Sequence, residues 1–176
     1  MLTTGSGTIH LLRVLHVGAG VFWVGSVLFI AMFLVPALRS VGPAGGAVMR
    51  DIVEGRKLPL WLMAASLVTI LSGIGLYWVD SDGFQSAWLA SGPGRTFGLG
   101  GVLALISAVL GMAINAPTAR RLGQLGAALR AEARQPTPEE AARMEQLQTR
   151  LNRVTLAVAV LLALATLAMA VARYVP

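Results

Sequence analysis

Four apolar blocks run along the chain, separated by segments that hold most of its charge. A bilayer core of about 30 Å is crossed by about 20 helical residues, each rising 1.5 Å. The blocks therefore predict membrane-spanning helices over residues 8–38, 58–79, 95–115 and 151–174. Thr8 is a candidate N-cap for the first, since a hydroxyl there can accept a free backbone N–H. That helix would be about 45 Å long, so it must tilt or protrude. Pro36 is placed to kink its inner end. Pro59 falls in the first turn of the second helix, where a missing N–H is tolerated. Tyr77 and Trp78 close it with rings suited to a headgroup layer. The third helix is expected to stop at Pro117, which cannot donate to the helical ladder.

Between the third and fourth blocks the pattern changes. Leu122, Leu125 and Leu129 recur at helical spacing, Gln135-Pro136 breaks the run, and Thr137-Pro138-Glu139-Glu140 reads as a helix start. It combines a capping hydroxyl, a proline at the first position and acids facing the positive end of the helix dipole. Met144, Leu147 and Leu151 carry the stripe onward into the fourth block. Residues 118–150 are thus expected to form an antiparallel helical hairpin with its apolar stripes packed together. The fold class predicted is all-α: an integral membrane four-helix bundle with a cytoplasmic helical hairpin between the third and fourth helices, in a single transmembrane domain, 1–176.

Composition sharpens this picture. Hydrophobic residues make up 56% of the 176 and charged residues 12%, against about 25% charged in an ordinary soluble domain. Mean hydropathy is +0.72. With no cysteine, disulfides, thiolate metal sites and thiol nucleophiles are excluded. The net charge of +6 does not point to nucleic acid, because of where it lies. Arg39, Arg50, Arg56 and Lys57, then Arg120, Arg121, Arg130, Arg134, Arg143, Arg150 and Arg153, account for 11 of the 14 basic residues. Their alternation along the chain is the positive-inside pattern. It places those segments in the cytoplasm and both termini outside, in a multi-pass protein of the bacterial inner (cytoplasmic) membrane whose first partner is the lipid bilayer. The first block lacks a basic leader and far exceeds the 7–15 apolar residues of a secretory signal, so it reads as a retained helix.

Small residues recur within the blocks: Gly18, Gly20, Gly25 and Ser26, then Ser66, Ser72, Gly73 and Gly75, then Gly94, Gly98, Gly100 and Gly101. Inside lipid, helices associate by close backbone approach rather than by burial of apolar area. The stripes fit either tight packing or clearance for a flat cofactor.

Three ionisable residues, His10, Arg13 and His16, form a ladder of threes in the outer half of the first helix. Ionisable groups within a membrane are costly and normally mark a site. His10 also reads as a solvated interfacial residue, Arg13 as snorkelling to water or a loop acid, and His16 as hydrogen-bonded to a neighbouring helix. The functional reading makes His16 the axial ligand of a haem iron, a role neutral imidazole performs. Arg13, one turn outward, would pair with a propionate, Gly20 would leave room for the macrocycle, and Trp23 would stack on it. A sixth ligand would have to be a methionine such as Met63, or His16 of a second subunit. Asn115 and Asn152 read as hydrogen-bonding between helices. No Ser-His-Asp set, phosphate loop or paired-carboxylate site is legible.

Leu15-His16 followed by Trp23-Val24-Gly25, then Pro36-Ala37-Leu38-Arg39, resembles the first helix of the copper-resistance D (CopD) superfamily and of the related HemJ-type four-helix proteins. The likeness covers about 25 residues, with a fainter echo at Arg150-Leu151-Asn152. It implies a conserved helix-1 histidine, and for HemJ-type relatives haem b and a protoporphyrinogen oxidase activity. Two departures stand against carrying everything over. HemJ-type proteins have a functional lysine in the third helix, whereas the one lysine here is Lys57 and the nearest basic residue is Arg95. The seven methionines show no close spacing, which gives little support to a copper pathway. The expectation is a haem b-binding membrane protein with a redox or electron-transfer role near the outer face. Two other classes stay open: a non-catalytic accessory subunit of a larger membrane complex, and a copper or other small-solute transport protein. A homo-oligomer is compatible with each.

Overall fold

The computed structural model describes residues 3–176, with side chains from Ser6 onward apart from that of Pro43. Among these residues the chain is helical with no strand, and four helices are long and apolar enough to cross a membrane. We label them α1 to α4. Helix α1 runs Thr3–Phe29, widens through a π-helical turn at Ile30–Leu34, and resumes as Val35–Ser40. Helix α2 is Leu58–Asp80. Helix α3 runs Gly92–Leu110, passes a π-helical turn at Gly111–Asn115, and continues as Ala116–Ala131. Helix α4 is Pro138–Val171, ending in the tighter turn Ala172–Tyr174. A short helix, Pro43–Arg50, lies between α1 and α2.

The two π turns inside spanning helices have one cause. Val35 N–H reaches back five residues to the Ile30 carbonyl, and Ala116 N–H does the same to Gly111. Each donor immediately precedes a proline, Pro36 or Pro117. A proline ring offers no N–H and crowds the carbonyl four residues back. Widening the helix by one residue relieves that crowding and lets it continue. Pro117 therefore does not end α3, contrary to the sequence expectation. Thr8 also lies inside α1 rather than at its cap, because the helix begins at Thr3.

Helices α1 and α2 pack closely as an antiparallel pair, and so do α3 and α4; contacts between the pairs, α1 with α4 and α2 with α3, are sparser. The start of α1, the α2–α3 loop and the chain end share one side of the bundle, called here the terminal side. The segment around Pro43–Arg50 and the helical hairpin share the other, the hairpin side. The packed centre consists of Trp23, Val27, Ala65, Ala104, Ala108, Val158, Ala159, Leu162 and Ala165. Outward faces carry Val14, Val21, Phe29, Leu71, Val102, Val109 and Leu167, all exposed. An exposed apolar surface of this extent suits lipid and not water.

The hairpin follows the predicted stripe: Leu122, Leu125, Met144, Leu147 and Leu151 are half-buried and Leu129 is buried. Helix α3 closes with Arg134 N–H on the Leu129 carbonyl and Ala133 N–H on that of Arg130, the six-to-one and five-to-two bonds of a Schellman motif. That motif puts Ala133 in the left-handed region, at φ 48°. At the start of α4, Thr137 Oγ1 accepts from Glu140 N–H while the Glu140 carboxylate accepts from Thr137 N–H. Arg134 then grips that carboxylate with two nitrogens, at 2.7 and 2.8 Å.

Candidate functional site

His16 faces α2. Its Nδ1 lies 2.8 Å from the Thr69 carbonyl oxygen. A carbonyl can only accept, so Nδ1 carries the proton, and in the neutral ring Nε2 keeps a free lone pair. Nε2 has no hydrogen-bond partner among the described residues.

Glycine makes this approach possible. A Cβ on Gly73 would lie 2.8 Å from His16 Cε1 and 3.0 Å from Nδ1, closer than side chains tolerate, so the imidazole fills the space a methyl group would take. One turn away the same device recurs, where a Cβ on Gly75 would stand 3.2 Å from a methyl of Leu12. On α1, Gly20 lets Thr69 come near, its methyl 3.6 Å from where a Cβ would sit. The Thr69 hydroxyl turns back to donate to the Ala65 carbonyl at 2.7 Å, so the residue adds no unpaired hydroxyl to the interface.

Because the two helix pairs meet sparsely, a cavity of about 930 Å³ lies between them. Arg13, His16, Gly20 and Trp23 all line it, so the four residues singled out from sequence share one space. His10 does not: it is exposed and contributes nothing to the wall. Trp23 is 5% exposed and belongs to the packed centre, where its ring forms part of the wall. Gly25 and Gly101 also line the cavity, and a Cβ on either would meet nothing within 4 Å. The small residues thus divide by position: Gly73 and Gly75 serve packing, Gly25 and Gly101 serve clearance.

Other lining residues escaped the sequence reading. Tyr77 borders the cavity with its hydroxyl donating to the Gly94 carbonyl at 2.9 Å, which fastens α2 to the start of α3. Its ring meets Trp88 edge-on at 5.1 Å between centroids. Asp80 from α2 and Arg173 from α4 bring charge to the terminal end of the cavity. Neither they nor Arg13 form an ion pair among the described residues. Met169, packed over Gly100, is the methionine on the cavity wall, whereas Met63 is 44% exposed and does not reach it. A signal for the α4 face was present in the spacing of Leu162, Thr166, Met169 and Arg173, which recur every three or four residues.

At the hairpin side, Asn115 donates to the Thr155 hydroxyl at 3.2 Å, bridging α3 and α4 as its position suggested. Asn152 does not follow suit: its amide nitrogen and the Asn115 side-chain oxygen are buried without partners. Among the described residues no three His, Asp or Glu side chains gather as a metal-holding group. A haem iron asks for less, since the macrocycle supplies four ligands and the protein only the axial ones. The donor set around His16 fits that demand: an imidazole with its proton fixed on Nδ1, a thioether in the same cavity, and apolar walls.

No family model, curated protein or solved structure matches the chain.

Proposed function

We propose that this chain is a haem b-binding integral membrane protein with a redox or electron-transfer role at the terminal side of the bundle, His16 being its axial ligand. The observation carrying the reading is the His16 Nδ1–H···O=C Thr69 hydrogen bond at 2.8 Å on the wall of a cavity of about 930 Å³. Metal-binding histidines characteristically donate their second nitrogen to a carbonyl or carboxylate, which fixes the tautomer and raises the basicity of the ligating nitrogen. The volume falls within the roughly 300–1,000 Å³ of small-molecule and cofactor pockets.

Bound haem supplies one-electron chemistry through its iron. The chain's own residues do the rest. Thr69 orients the imidazole, Gly25 and Gly101 leave space, and Trp23 and Leu162 keep water from the inner wall. The positive charge concentrated on the hairpin side supports an inner-membrane orientation with that side cytoplasmic and both termini outside. Electron transfer is favoured over porphyrinogen oxidation because α3 carries no lysine.

An absorption spectrum of the detergent-purified protein, expressed with ample haem, tests the reading. A Soret band lost in His16→Ala is expected. A colourless wild-type protein overturns it, and fixed partners co-purifying with that colourless protein would favour the accessory-subunit reading.

A further inference from the structure

Arg13 and Arg173 reach the same cavity from opposite helix pairs, α1 in one and α4 in the other. A guanidinium stays charged at any ordinary pH and presents a planar fork that matches a carboxylate. Among the described residues Asp80 is the one acidic residue on the wall. Two cations and one anion leave that end of an otherwise apolar cavity with an excess positive charge. Unbalanced charge bordering a membrane interior is costly and tends to mark a binding site.

The axial order is equally informative. Arg13 lies three residues from His16, about 4.5 Å along the helix toward the terminal side. Arg173 lies four residues beyond Met169, again toward that side and on the same helical face. On both helices the cation is outward and the ligand-type atom is one turn deeper. A molecule satisfying both would be apolar over most of its body and carry carboxylates at one end.

We infer that Arg13 and Arg173 form a carboxylate clamp at the terminal end of the cavity, which selects amphiphiles with an anionic end and bridges the two helix pairs through the bound molecule. The inference rests on the proposed function for the identity of the ligand, but not for the clamp itself. Asp80 brings the opposing charge to the same wall and is paired with neither guanidinium among the described residues.

The test uses the full chain in detergent, titrated with hemin and with hemin dimethyl ester, whose propionates are neutral. Arg13→Gln and Arg173→Gln are each expected to weaken hemin binding about tenfold, the scale of one lost charge-assisted contact, and to leave ester binding unchanged. Asp80→Asn is expected to tighten hemin binding. Arg95→Gln, at the start of α3 and off the cavity wall, is expected to change neither. Circular dichroism and gel-filtration profiles matching wild type establish that each variant is folded, and Arg173→Lys should recover part of the loss.

Hemin affinity unchanged in both arginine variants, or an equal loss for the ester, overturns the clamp while leaving the haem reading intact. An equal loss in Arg95→Gln also overturns it, because the effect is then general charge attraction. If wild type takes up no hemin, a fluorescent fatty acid is the second probe. Arginine-dependent binding of that probe keeps the clamp and removes the haem. Binding of neither probe removes the clamp.

Discussion

His16 donates its Nδ1 proton to the main-chain carbonyl of Thr69, 53 residues away, at 2.8 Å. The bond ties α1 to α2 at the level of the cavity and leaves the opposite ring nitrogen unengaged. A histidine serving only to join helices would gain as much from using both nitrogens. Here Nδ1 serves the helix contact, while Nε2 has no hydrogen-bond partner among the described residues.

Substitution of Gly73 should expose how tightly that ring is held. Gly73→Ala places a methyl 2.8 Å from His16 Cε1, so α1 and α2 must separate or the ring must turn. Overpacking of this kind costs about 1–3 kcal/mol. Thermal unfolding in detergent should show a lowered midpoint. Gly18→Ala, whose added Cβ meets nothing within 4 Å, should be neutral or slightly stabilising. Equal behaviour of the two variants would contradict the packing assigned to Gly73.

Filling the cavity should separate ligand binding from folding. Gly101 lines it and a Cβ there has open space, so Gly101→Leu is expected to fold normally and lose the Soret band. Retention of full haem content would mean that the ligand does not occupy this space.

Ala133 sits in the left-handed conformation at φ 48° in the hairpin turn, a position where glycine avoids a steric cost of about 1 kcal/mol. Ala133→Gly should therefore stabilise the hairpin by about that amount, seen as slower amide exchange around Leu129. Faster exchange would show that the turn is not held as described.

The hairpin should also loosen in acid. The hydrogen bond from Arg134, followed by that from Thr137 N–H, holds the Glu140 carboxyl down at about 2, from an ordinary 4.5. A depressed carboxyl contributes stability that is complete above its unfolded value and is lost as pH falls toward its folded one. Amide protection factors in the hairpin, which correct for the intrinsic pH dependence of exchange, should fall between about pH 4.5 and pH 2 in wild type. Glu140→Gln should flatten that dependence; an unchanged profile would show that the pair does not govern the turn.

Orientation can be read chemically. A cysteine replacing Asp82 should react with a membrane-impermeant maleimide applied outside whole cells, and one replacing Arg130 should not. The reverse pattern would invert the assigned topology.

The four-helix architecture was legible because lipid-facing helices need unbroken apolar runs of a fixed minimum length, and residues such as those of 58–79 supply one directly. The capping signal at Thr137 was equally plain, since its chemistry is local. Pro117 misled for a related reason: a proline removes one hydrogen bond, but the sequence does not reveal that a five-residue turn will absorb the defect. His16, Arg13, Gly20 and Trp23 could be grouped because they share one helix. Arg173, Asp80 and Met169 could not, since their meeting depends on how two helix pairs dock, and no period within a single helix encodes that.

The π turns at Ile30–Leu34 and Gly111–Asn115 assign different mechanical duties to the two helices of each pair. Each pair contains one jointed helix, α1 or α3, beside one that runs straight across. His16 stands 14 residues from the α1 joint, roughly 21 Å along the axis. Bending at the joints would displace only the α1 and α3 segments beyond them, because α2 and α4 run through unbroken. The imidazole and the carbonyl that holds it lie on the far side of the α1 joint from that displacement, so the register of Nδ1 on Thr69 does not depend on it.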